Sequence, residues 1–175
     1  ENRRRFFAAA GLPSRPVWLE QVHGVNVLRL TGGEYASKRA DASYSDIPGQ
    51  VCAVMTADCL PVLFCNLAGT EVAAAHAGWR GLCAGVLEET VACFRDKPDN
   101  ILAWLGPAIG PQAFEVGPEV RDAFMARDVA ADSAFRPVGE KYYTDIYQLA
   151  RQRLARLGIT RVYGGDRCTL SEKGD

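Results

Sequence analysis

The sequence predicts a single α+β domain built on mixed β-sheets. Short apolar runs of strand length alternate with amphipathic helical segments, but without the steady strand-helix-strand rhythm of a doubly wound parallel sheet. At 175 residues the chain has the size of one domain, and no linker, repeat or low-complexity stretch divides it.

In order along the chain, residues 2–10 read as the end of a helix closed by Gly11, after which Pro13 and Pro16 force an extended path. Residues 17–22 and 25–30 read as strands that meet at His23-Gly24. Residues 31–50, rich in Gly, Ser, Asp and Pro, read as loop, with Ala40-Asp41-Ala42 as a functional insert inside it. The continuously apolar residues 51–55 and 61–65 suit strands covered on both faces, so Thr56-Ala57-Asp58-Cys59 is the break between them, where side chains can be aimed into a cavity. Residues 71–75 form a further strand. Gly78 to Gly81 turns the chain into a helix over 82–95, whose Leu82, Val86, Leu87, Val91 and Phe94 recur at helical spacing. Residues 101–105 are a strand entering the glycine-rich turn 106–111. A second helix starts near Pro118, and a third runs from Thr144 as N-cap to Gly158 as stop. Residues 161–163 are a last strand, followed by Gly164-Gly165-Asp166-Arg167-Cys168-Thr169.

A net charge of −1 gives no broad attraction to nucleic acid or anionic lipid, and Arg3-Arg4-Arg5 reads as a solvated helix face. Four of the six cysteines (Cys52, Cys65, Cys83, Cys93) sit inside apolar runs as small hydrophobes, not in a dense disulfide framework. The expected compartment is therefore the reducing cytoplasm. No signal peptide is recognisable, and the apolar runs fall short of the roughly 18 to 20 residues of a membrane span. The absence of Gly-x-Gly-x-x-Gly and of a Walker loop removes the usual support for nicotinamide or ATP-loop chemistry.

Chemistry concentrates at three strand ends. The chain has two histidines, His23 and His76, and each lies next to a glycine or a polar break, as does Cys59. Two imidazoles and a thiolate make a three-ligand zinc set with the fourth tetrahedral position left for water or substrate, the arrangement of a catalytic site. Such a metal would acidify bound water or polarise a substrate oxygen. The same residues also admit a metal-free account, in which Cys59 is a nucleophile, His76 or His23 its base, and Asp58 the orienting carboxylate. Asp58 is alternatively the carboxylate behind a ligand histidine, or a turn residue. Arg80 can bind a phosphate or carboxylate bidentately, or stack on Trp79; Arg167 is a candidate of the same kind. In a regular strand, Gln21 shares a face with His23 and reaches ligand or water. The turn 106–111 brings backbone amides near a substrate, or simply bends tightly.

Taken together, Leu19-Glu20-Gln21-Val22-His23-Gly24, Ala40-Asp41-Ala42, Thr56-Ala57-Asp58-Cys59-Leu60-Pro61-Val62, His76-Ala77-Gly78-Trp79-Arg80-Gly81, Leu105-Gly106-Pro107-Ala108-Ile109-Gly110 and Gly165-Asp166-Arg167-Cys168-Thr169 resemble the bacterial YfiH/YlmD family. This family is also described as laccase-domain polyphenol oxidoreductases and as peptidoglycan editing factors. The resemblance implies a layered α/β/β/α fold with mixed sheets, and residues 1–175 as one catalytic domain without the family's preceding strands and its Phe- and Arg-containing tail. It implies a zinc-dependent purine nucleoside phosphorylase acting on adenosine, inosine and methylthioadenosine that also deaminates adenosine. Its partners would be purine nucleoside and phosphate, with no nucleic acid or membrane. His23, Cys59 and His76 match the family's metal-binding His, Cys and His.

The family's other names imply other chemistry. A multicopper relay needs many imidazoles, and two are too few, which leaves phenol oxidation to a single loosely held copper. The editing name implies amide hydrolysis in a UDP-muramoyl precursor, by zinc hydroxide or by Cys59. The His-x-Glu and Pro-Cys-x-x-Cys signature of zinc deaminases is absent, so deamination would rest on a different acid-base group. A binding module with structural zinc is one ligand short.

Overall fold

The computed structural model describes residues 1–172. Among the described residues, nine strands and five α-helices follow one another as α1 (Asn2–Ala9), β1 (Val27–Arg29), β2 (Ala42–Ser45), β3 (Leu60–Asn66), β4 (Val72–Ala77), α2 (Trp79–Ala84), α3 (Val86–Ala92), β5 (Ile101–Leu105), β6 (Glu115–Val116), α4 (Pro118–Met125), β7 (Phe135–Val138), β8 (Lys141–Thr144), α5 (Ile146–Arg156) and β9 (Arg161–Gly164). They build a mixed six-stranded sheet in the order β1-β2-β4-β3-β5-β9 and an antiparallel three-stranded sheet β6-β8-β7. In the larger sheet the outer pairs β1-β2 and β5-β9 are parallel and the inner pairs antiparallel. The expected α+β class with mixed sheets is the one observed.

Alternation along the strands sorts side chains to two faces. Val62, Phe64, Ala73, Ala75, Ile101, Ala103 and Leu105 join the apolar faces of α3 and α5 in one core cluster. The other face carries His76 and a cross-strand row of Leu63, Trp104 and Tyr163, which are 42, 45 and 54% exposed and so remain largely uncovered by this chain.

The strand directions decide where the motifs meet. The starts of β1, β2 and β3 and the ends of β4, β5 and β9 all lie at one rim of the sheet. The segments carrying His23, Asp41, Cys59, Gly78, Gly106 and Arg167 are therefore gathered at that rim.

Several elements differ from the sequence reading. Residues 17–22 form isolated bridges, Val17 to Cys52 and Glu20 to Arg39, not a strand, because the amides of Val22, His23 and Gly24 are taken by the Asp41 carboxylate. His23 adopts φ 59°, a left-handed conformation no strand accommodates. Residues 51–55 likewise lack a ladder, since the amide and carbonyl of Met55 are both bound by the Gln21 side chain. β2 lies inside the expected loop 31–50. Its four residues Ala42, Ser43, Tyr44 and Ser45 are all buried, and small polar residues in a covered strand imitate a loop signal.

The expected helix 82–95 starts earlier, at Trp79, and is two helices. Gly85 at φ 114°, ψ 29° separates them. The carbonyls of Leu82 and Cys83 at the end of α2 accept from the Arg153 guanidinium of α5, at 3.1 Å each. α5 is capped by Asp145, whose carboxylate accepts the Gln148 amide at 3.0 Å; Thr144 is the last residue of β8. The β7-β8 hairpin falls where no strand was expected.

Candidate metal centre

His23, Cys59 and His76 come from a loop, a strand approach and a strand, yet one donor atom from each lies within 4.8 Å of the others. The β2-β4 register continues one step beyond Ala42 and Ala75 to set Asp41 opposite His76, whose amide donates to the Asp41 carbonyl at 2.7 Å. The β3-β4 register brings Pro61 opposite His76 and carries Cys59 to the level of Gly78. His23 sits in the loop that leads into β1, its ring edge-on to that of His76 with centroids 4.7 Å apart. His23 Nε2 is 4.0 Å from Cys59 Sγ.

Glycine makes this approach feasible. A Cβ on Gly78 would stand 3.0 Å from His23 Cδ2 and 3.1 Å from Cys59 Sγ, inside the space the two donors share. A Cβ on Gly81 would meet the Gly24 carbonyl oxygen at 2.9 Å. Both His-Ala-Gly-Trp-Arg-Gly glycines thus serve packing around the centre.

Asp41, completely buried, is the carboxylate behind the histidines. Its Oδ2 lies 2.8 Å from His76 Nδ1 and accepts from the His23 amide at 2.9 Å; its Oδ1 accepts from the Gly24 amide at 2.8 Å and the Val22 amide at 3.0 Å. Burial works to raise its pKa, but the bonds from His76 and the three amides outweigh it and hold the carboxyl below the usual value. Cys59 is shifted the other way. Burial raises its thiol, and the charges of Asp58 and Asp41 add to the rise. A free thiolate nucleophile is therefore disfavoured here, whereas a divalent cation reverses the balance by binding the sulfur as thiolate.

The donor chemistry fits a metal. A tetrahedral zinc with bonds of about 2.0 to 2.3 Å holds its donors roughly 3.4 to 3.7 Å apart, so the set needs only small side-chain movements to close. His23 is exposed and Cys59 half-buried, which leaves the remaining side of the set open to solvent.

The other candidates are placed as follows. Asp58 does not meet a histidine nitrogen: its Oδ1 accepts from the Thr169 hydroxyl at 2.6 Å and its carbonyl from the Ile109 amide at 2.9 Å, so the orienting role expected of it falls to Asp41. Gln21 shares no strand face with His23; its amide clamps Met55, donating at 2.7 Å and accepting at 2.8 Å. Arg80, exposed in the first turn of α2, stacks over Trp79 at 4.6 Å and forms no ion pair among the described residues. Arg167 pairs with Glu172 at 3.0 Å on the surface.

The amides of Gly106, Ala108, Ile109 and Gly110 are spent on Pro61, Tyr147, Asp58 and the Cys168 sulfur, and do not reach outward. Tyr147, buried, organises this side: its hydroxyl accepts from Ala108 and donates to the Arg167 carbonyl, both at 2.7 Å. Neither Asp41 nor Thr169 stood out in the sequence as a partner of the centre. The pairing of Asp41 with His76 depends on strand register, and the Thr169 contact spans 111 residues.

Fold and site together define a mixed-sheet α+β domain carrying a three-donor His/Cys centre at one sheet rim. The chain belongs to the family described as multi-copper polyphenol oxidoreductase laccase, whose model matches residues 1–175. It is 76% identical over 172 residues to the purine nucleoside phosphorylases YfiH of Shigella flexneri and of Escherichia coli K12, covering 98% of this chain and 71% of each relative. Among solved structures, a Neisseria meningitidis protein superimposes with a TM-score of 0.90 at 48% identity, over 98% of this chain and 70% of that one. YlmD from Geobacillus stearothermophilus superimposes with 0.79 at 29%, over 96% and 69%.

Proposed function

We propose that this chain is a zinc-dependent purine nucleoside phosphorylase, with His23, Cys59 and His76 as the metal ligands and a purine nucleoside and phosphate as substrates. The observation that carries the reading is the convergence of one sulfur and two nitrogen donors within 4.8 Å on a face open to solvent. The names of relatives at 76% identity supply the reaction class. When bound, zinc supplies Lewis acidity beside an open coordination position.

The remaining roles belong to the chain. Asp41 orients His76 through Nδ1 and the His23 loop through three amides. Arg80, two residues beyond Gly78 and free of any carboxylate among the described residues, provides the permanent cation that holds phosphate as its oxygen attacks the ribose C1′ and the purine departs from the same carbon. Thr169, through Asp58, steadies the turn that presents Cys59.

The copper-dependent phenol oxidase reading has the family description in its favour, and a His2Cys set is also that of blue-copper centres when an axial thioether joins it. Here the sulfur of Met55 lies 3.5 Å from the Arg3 guanidinium instead, and two histidines supply no further copper cluster.

The deciding experiment incubates zinc-loaded protein with adenosine or inosine. Free base and ribose 1-phosphate form only when phosphate is present, and Cys59→Ala lowers both zinc content and turnover by at least about 100-fold. Inosine appearing from adenosine without phosphate reads out deamination. No free base under any of these conditions, with amino acid released from a UDP-muramoyl precursor, replaces the reading with amide hydrolysis.

A further inference from the structure

We infer that Asp41 is the positioning residue of the centre: it fixes His76 in the tautomer protonated on Nδ1 and holds His23 in its left-handed turn, so the donor set is formed before a metal arrives. The inference rests on the metal-ligand reading of the three residues and is independent of which reaction they serve.

The donors and acceptors around Asp41 decide the tautomer. An ionised carboxylate offers about four lone-pair positions and no hydrogen to give. Three backbone N–H groups and the His76 Nδ1 surround that of Asp41, two nitrogens on each oxygen, at 2.8 to 3.0 Å. Three of those positions are filled by backbone amides, and the buried carboxylate has no hydrogen to offer at the fourth, so the His76 nitrogen facing it must be the donor. His76 then carries its proton on Nδ1 and keeps the lone pair of Nε2 for a metal, the arrangement in which a carboxylate behind a ligand histidine fixes tautomer and ring orientation.

The same carboxylate acts on His23 by a different route. Among the described residues, His23 at φ 59° is the non-glycine residue of positive φ, in a conformation L residues avoid. Three successive amides, those of Val22, His23 and Gly24, converge on Asp41 as a backbone nest converges on an anion. The anion inside the nest is part of the protein, which makes the turn permanent, and it is this turn that brings His23 Nε2 to 4.0 Å from Cys59 Sγ. Asparagine at this position is nearly isosteric but replaces one acceptor oxygen by an NH2 group pointed at donors, so it must repel either the ring N–H or the nest.

The test uses the full chain, ¹⁵N-labelled at histidine and stripped of metal, at a pH of about 8 where unperturbed imidazoles are neutral. With two histidines in the sequence, long-range ¹H–¹⁵N correlations resolve each ring. Wild-type His76 is expected as the Nδ1–H tautomer. Asp41→Asn is expected to move the proton to Nε2 or to give a mixture, and to weaken zinc binding, read by competition with a chromophoric chelator, about 10- to 100-fold. In the Co²⁺-loaded variant the thiolate-to-cobalt absorption of Cys59 persists, which separates loss of positioning from loss of a ligand. Wild-type His76 protonated on Nε2 overturns the inference without recourse to any variant, even if Asp41→Asn does not fold. A folded Asp41→Asn that keeps both the wild-type tautomer and zinc affinity within about twofold overturns it as well. A failed phosphorylase assay leaves both readouts untouched.

Discussion

The cysteines show how far a side chain's neighbours, more than its identity, set its chemistry. Burial pushes Cys52 up to about 11 and also raises Cys83 and Cys93, so these thiols stay protonated at neutral pH. Cys168 is drawn down to about 7 by the hydroxyl and amide of Ser171, with the amides of Gly110 and Leu170 adding to the effect against some desolvation. Because the thiolate is the reactive form, iodoacetamide at pH 7 to 8 should label Cys168 ahead of the others, its rate rising through pH about 7 and levelling above, as peptide mass spectrometry would show. Equal labelling of Cys52 and Cys168 at pH 7.5 would contradict this. His23, Cys59 and His76 were legible in the sequence because histidine is scarce and each donor borders a glycine or a break. Asp41 was marked as part of a functional insert, but its role behind His76 was not legible, because its partner is defined by strand pairing 35 residues away.

Breaks matter as much as regular elements in this fold. Gly85 is the single residue by which the chain leaves α2 and starts α3, and Arg153 takes the carbonyls the break exposes. A side chain at φ 114° is strained even though its nearest neighbour, the Glu88 carboxylate at 3.3 Å, can move. Gly85→Ala should cost about 1 to 2 kcal/mol, seen as a fall of roughly 2 to 8 °C in Tm, with zinc stoichiometry unchanged. Helical spacing of apolar residues located α3 and α5, whereas the start of α2 at Trp79 and its separation from α3 at Gly85 leave the apolar spacing unbroken and so were not legible. The strands were legible where apolar and long, as in β3 and β5. They were not legible where, as in β2, serines are buried beside a tyrosine whose hydroxyl donates to the buried Glu71 at 2.5 Å.

For the molecule as a whole, a ligand that binds only the folded state adds its binding free energy to stability. The three proposed ligands lie 36 and 17 residues apart, so they meet only once β2, β3 and β4 have paired. Zinc at a hundred times its dissociation constant should therefore add about 2.7 kcal/mol and raise Tm by roughly 5 to 10 °C, an increment abolished by EDTA or by Cys59→Ala. Absence of any zinc-dependent shift in the wild type would count against the centre. No helix among the described residues is long and apolar enough to cross a membrane. The α+β class and the mixed sheets followed from patterning, while sheet order, strand register and the single rim that gathers the motifs are set by long-range strand pairing that no local pattern encodes.

The facing of Asp41 and His76 across β2 and β4 also makes the centre sensitive to reading frame within the strands. Adding or deleting one residue between positions 42 and 45, or between 72 and 75, can leave the ladder's hydrogen bonds to re-form one step along. It would nevertheless turn one of the two side chains through the sheet to the helix-covered face. Length variation in descendants of this sequence should accordingly be absorbed in the turns that join these strands and be absent from the strands themselves.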